Sequence, residues 1–147
     1  MIALYVSTEK WDIVSAVIRW FTLCSWSHVG FINLDTMTTF SAMADGRGVD
    51  FRPLKRGQKI MLLDAPHCEE AYQKALSYKG QGYDFLAILG MVFHRNWKSR
   101  DRKFCNELVF RVFDEIGEPL LNHKFIPLQH MFPEHILLSP KVTLRPN

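Results

Sequence analysis

The chain has 147 residues, 48% of them hydrophobic and 22% charged, and a net charge of +3. That is the make-up of one soluble globular domain with a core of its own, and the mild charge argues against a nucleic-acid partner. No apolar run approaches the roughly 20 residues of a membrane span, and the opening "MIALYVSTEKWD" turns polar too early for a signal peptide.

In chain order, "IALYVS" (2–7) reads as a short strand. Asp12 is placed to cap a helix over 13–23, where Ile13, Val17, Trp20 and Phe21 fall at helical spacing. "SHVGFINL" (27–34) has the alternation of a strand, with His28, Gly30 and Ile32 on one face and Val29, Phe31 and Asn33 on the other. "DTMT" turns the chain into a second strand, "TFSAMA" (39–44), and "DGRG" (45–48) turns it into a third, "VDFRPL" (49–54). "KIMLLDAP" (59–66) is read as the fourth strand of the same meander.

Helices follow. "HCEEAYQKALSYKG" (67–80) closes on glycine. "YDFLAILGMVF" predicts a short apolar helix capped by Asp84. "RNWKSRDRK" (95–103) reads as a solvated basic loop. "RKFCNELVFRVFDEIG" (102–117) predicts an amphipathic helix whose buried stripe is Leu108, Val109, Val112, Phe113 and Ile116. The remaining 30 residues carry five of the seven prolines and are expected to wrap the surface in short turns. The expected architecture is a single α+β domain over 1–147, an antiparallel meander packed against helices, with 118–147 as an extension.

Three cysteines cannot all pair, and neither a CxxC nor a Cys/His zinc pattern is present. Reduced thiols and a cytoplasmic location follow, with no metal and no cofactor. His123, His130 and His135 read as surface or packing residues. Cys105 heads a helix, where free backbone N–H groups and the macrodipole favour a thiolate and offer donors to an oxyanion. Its alternative role is packing, the usual fate of a lone cysteine. With Phe104 as cap, Glu107 is expected to reach back to a free backbone N–H. Cys68 also heads a helix, but Glu69 and Glu70 in that first turn oppose a thiolate. Cys24 reads as packing. A thiolate nucleophile needs a histidine partner, and His28, on a rigid strand beside Gly30, is the candidate. Ser41 on the next strand, or Thr39 on the same face, would orient the imidazole.

"SHVGF", "FSAMADGRGVDFRPL", "GQGYDFLAILG" and "KFCNELVFRVFDEIG", in that order, resemble the circularly permuted papain-like hydrolases of the YiiX type. These are relatives of the NlpC-type cell-wall peptidases, and the small versions carried by bacteriophages and prophages are the most similar. In that group the histidine strand precedes the cysteine helix, as here; the resemblance covers roughly residues 1–117. It implies Cys105 as nucleophile, His28 as base and Ser41 at the third position, where many relatives carry a stronger acceptor. It also implies Tyr83 near the mouth of the site. Asn106 stands where serine is usual, and its side chain is able to donate to an oxyanion. The implied substrate is a peptide or acyl amide, such as a stem-peptide bond of peptidoglycan. Two rival readings are a lipid or ester acyl hydrolase of the lecithin:retinol acyltransferase type and a non-catalytic phage-type binding module.

Overall fold

A computed structural model describes residues 1–6, 25–43, 45–83, 102–103, 105–122 and 131–146, with Ala16 and Trp20. Apart from Ala16 and Trp20, the helices expected over 13–23 and after Asp84 lie outside the described residues, as does most of the basic stretch 95–103.

The framework is a mixed α/β arrangement around a six-stranded antiparallel sheet. Five of its strands are β1 (Ile2–Tyr5), β2 (His28–Asn33), β3 (Thr38–Met43), β4 (Gly48–Pro53) and β5 (Ile60–Asp64). Short local turns set the β2–β3–β4 meander. At the first turn, Asn33 Oδ1 accepts the backbone N–H of Asp35 and of Thr36; at the second, Asp45 Oδ1 accepts that of Arg47. These are side-chain mimics of a backbone turn, the reason Asn and Asp favour such positions.

The fourth strand departs from the expected meander. β5 pairs with β1, not with β4, and β1 lies between β2 and β5. The spatial order is β4-β3-β2-β1-β5-β8, in which β8 (Thr143–Leu144) comes from the C-terminal segment. All four residues of β1 are buried, which marks a strand covered on both faces.

Strand alternation sorts the sheet into two sides. One side presents Ile2, Leu4, Val29, Phe31, Phe40, Ala42, Val49 and Leu63 to helix α1 (Cys68–Leu76) and helix α2 (Cys105–Glu115). Ala71 and Ala75 of α1 and Leu108, Val109, Val112 and Phe113 of α2 complete that core. The other side gathers Ala3, Tyr5 and Ile32, flanked by Met1, Leu54, Ile60 and Leu62. The two helices are tied to each other by the Tyr78 hydroxyl, which donates to Glu115, and by Lys74 Nζ, 3.5 Å from the same carboxylate.

Helix α2 is buried more widely than its stripe predicts. Asn106, Glu107 and Phe110 are buried as well, and Ile116 only half so. The reason lies in the tail, which is more than a surface wrap. Leu120, Met131 and Ile136 belong to the main core, the last within a 3-10 helix over Pro133–Leu138. Glu107, buried in this setting, forms an ion pair with Arg111 at 2.8 Å, one helical turn on. The capping position, Phe104, lies outside the described residues.

Gly48 makes a close approach possible. Its φ is +68°, and a Cβ there would stand 2.0 Å from the carbonyl oxygen of Gln81. That oxygen accepts the N–H of Val49, and Gly80 N–H donates back to the Val49 carbonyl, both at 2.8 Å. The chain then enters β6 (Gly82–Tyr83), which pairs in parallel with β7 (Arg102–Lys103), just ahead of α2. Among the described residues, no helix is long and apolar enough to cross a membrane.

Candidate active site

Cys105 is the first residue of α2, so the free N–H groups of an eleven-residue helix begin at its position. The apolar stripe that docks α2 on β2 and β3 brings its head to the start of β2. There Sγ lies 4.0 Å from the carbonyl oxygen of Ser27, the peptide that leads into His28. Sγ is also 3.5 Å from Oδ1 of Asn106. Both oxygens are acceptors, so the thiol is the donor in these contacts. Cys105 is 2% exposed.

Asn106 faces this thiol with its oxygen because its nitrogen is committed elsewhere: Nδ2 donates to the carbonyl of Met131. The side chain therefore bridges the head of α2 and the C-terminal segment, and this N–H points away from the sulfur. A second link nearby runs from the Ser25 N–H to Glu134 Oε1 at 2.8 Å.

His28 is buried, on the sheet side opposite the helices. It stands directly across from Tyr5 in the β1–β2 register, and the two rings stack with centroids 5.6 Å apart and planes 23° apart. The β2–β3 register, Phe31 with Phe40 and Ile32 with Thr39, sets Ser41 beside Gly30 on this same side. A Cβ on Gly30 would come within 2.7 Å of the Ser41 Cβ, so the missing side chain is what admits β3 so closely. The Ser41 hydroxyl bonds the Tyr5 phenol at 2.6 Å. Thr39 shares this side and donates to the Arg52 carbonyl at 3.4 Å.

The structure thus brings Tyr5, His28 and Ser41 together in the buried sheet and sets the Cys105 thiol against the chain entering β2. The side chain of Tyr83 and the residue Asp84 lie outside the described residues. Cys68 is half-buried at the head of α1, and burial, with lesser contributions from Asp64 and Glu69, raises its thiol above the ordinary range.

Two residues absent from the sequence reading are prominent. Tyr5 is fully enclosed, and burial pushes its phenol up to about 12, with the hydroxyls of Ser41 and Thr39 pulling the other way. It is therefore a neutral hydroxyl at any physiological pH. The hint in the sequence was a tyrosine at an inward strand position, where its hydroxyl needs a partner. Arg52 is the other, 6% exposed. It grips Asp45 with Nε and Nη2 at 2.9 and 2.6 Å and donates to the carbonyls of Ser41, Asp50 and Gly48. It fastens the backbone of Ser41 from the β4 side.

Comparison with models of protein families gives no match, and comparison with curated proteins gives none.

Proposed function

We propose that the chain is a cysteine hydrolase of the permuted papain-like type that cleaves an amide bond. The observation that carries the reading is the seat of the Cys105 sulfur, at the head of α2 and 4.0 Å from the carbonyl of the residue preceding His28. That seat puts the sulfur and the helix N-terminus beside the end of β2 that carries His28, and acyl transfer through a thiol uses a sulfur, an imidazole and oxyanion donors.

In the proposed cycle the thiol proton passes to His28 and the thiolate attacks the carbonyl carbon. Backbone N–H groups of the first turn of α2 receive the developing oxyanion. As the carbon–nitrogen bond breaks, His28 returns the proton to the departing amine, leaving an acyl-thioester. Water, deprotonated by His28, then forms the new carbon–oxygen bond; the carbon–sulfur bond breaks and the thiol is restored. The resemblance to YiiX-type enzymes points to a cell-wall peptide as substrate, with Ser41 supporting the imidazole. The Asn106 side chain serves the tail in this scheme, and the oxyanion donors are backbone groups.

The test is the rate of labelling by a small thiol electrophile such as iodoacetamide, followed by intact mass. Cys105→Ala is expected to abolish the fast phase, whereas Cys24→Ala and Cys68→Ala keep it. Equal labelling of the three variants refutes the nucleophile assignment. The burial of Cys105, His28 and Ser41 favours one second reading, a non-catalytic module that retains the architecture. Under it Cys105 labels only after unfolding in urea, and native protein shows no fast phase.

A further inference from the structure

We infer that Tyr5 is the positioning residue of the His28 imidazole, its ring stacked on the imidazole and its hydroxyl anchored to Ser41. This rests on the proposed role of His28 as the base. Three observations carry it. The cross-strand register puts the two residues directly opposite each other. Their rings are 5.6 Å apart and nearly parallel, within the roughly 6 Å over which an aromatic face attracts a cation. The phenol is in turn fixed by its 2.6 Å bond to Ser41, whose own backbone carbonyl is held by Arg52. The third position thus acts on the imidazole through a tyrosine. A serine hydroxyl is a weak orienter alone; here its work is to stop the phenol ring from rotating.

The chemical consequence concerns the protonated histidine that must form when the thiol gives up its proton. A neutral aromatic face alongside stabilises that imidazolium, and so the ion pair with the thiolate. The phenol suits this because burial keeps it neutral, and a thiolate at Cys105 reinforces that neutrality. The other charged groups on this side of β3 and β4 are already matched, Arg52 by Asp45 and Asp50 by Lys79 at 3.9 Å.

The experiment compares Tyr5→Leu, Tyr5→Phe, Ser41→Ala and His28→Gln in the full chain. It reads the Cys105 iodoacetamide rate against pH and the NMR titration of the His28 ring, assigned by its loss in His28→Gln. Tyr5→Leu is expected to lower the His28 titration midpoint by about half a pH unit, the size of a cation–π contact. Its Cys105 alkylation at neutral pH is expected to slow by ~10-fold as the imidazole loses its alignment. Tyr5→Phe and Ser41→Ala keep the aromatic face and the wild-type midpoint, and slow alkylation equally, by a few-fold at most. A folded Tyr5→Leu with wild-type titration and rate overturns the inference. If Tyr5→Leu does not fold, unequal rates in Tyr5→Phe and Ser41→Ala overturn it, since both remove the same anchor. His28→Gln keeps the two questions apart: full alkylation in that variant refutes the thiol–imidazole pair itself, independently of Tyr5.

Discussion

Replacing Arg52 by methionine removes the cation that joins β3, β4 and the turn between them. The guanidinium spends all its donors inside the protein, on both carboxylate oxygens of Asp45 and on the carbonyls of Ser41, Asp50 and Gly48. Breaking a buried ion pair from one side costs roughly 3–5 kcal/mol, because the partner and its acceptors are left without compensation. The Asp45 side chain is 30% exposed and recovers water, which places the expected loss at the lower end, about 3 kcal/mol. For a domain of this size that corresponds to a fall of about 10 °C in melting temperature. Urea unfolding followed by circular dichroism measures it, with the slope checked for constancy. Arg52→Lys keeps the charge but not the planar fork, and is expected to recover about half of the loss. A loss below about 1 kcal/mol in Arg52→Met, or full recovery with lysine, would show that the fork does not hold the hairpin.

Gly30→Ala introduces a Cβ 2.7 Å from Ser41 Cβ and 2.8 Å from the Phe40 carbonyl oxygen, a clash with the neighbouring strand itself. It is expected to cost about 1–3 kcal/mol and to slow Cys105 alkylation more than its stability loss explains; unchanged unfolding and alkylation refute the close packing. For acid stability, the carboxyl of Asp45 is held down to about 2: Arg52 and Arg47 outweigh the burial that opposes them. Because the folded value lies below the ordinary one, this contribution is complete above roughly pH 4 and disappears as pH falls towards 2. Asp45→Asn is therefore expected to flatten the acid limb of a stability-versus-pH curve in that window, and an unaltered limb refutes the assignment.

Much of the sheet was legible because its signals are local. Asn33 and Asp45 announce tight turns, so β2, β3 and β4 must be neighbours in sequence order. The alternation of β2 separates Val29 and Phe31 from His28 and Gly30, although only the structure shows that Val29 and Phe31 take the helix side. Cys105 at the head of a helix was legible for the same reason. The insertion of β1 between β2 and β5 was not. Nothing near residues 2–5 marks a pairing with residues 60–64 or with residues 28–31, and it is the second of these that sets a tyrosine opposite His28. The role of Asn106 was hidden by the tail. The sequence offers its side chain to an oxyanion, and only Met131, arriving from far along the chain, claims that N–H.

Gly48 sits at the foot of β4, yet what it governs is the seat of a segment far down the chain. Because no methyl group projects there, the segment through Gln81 settles onto the hairpin, and its continuation in Tyr83 lies alongside Lys103, the last paired residue before α2 begins. The bare α-carbon works as a shim of zero thickness. Any side chain in its place would lever the Gln81 segment outward and open the seam it closes against β4.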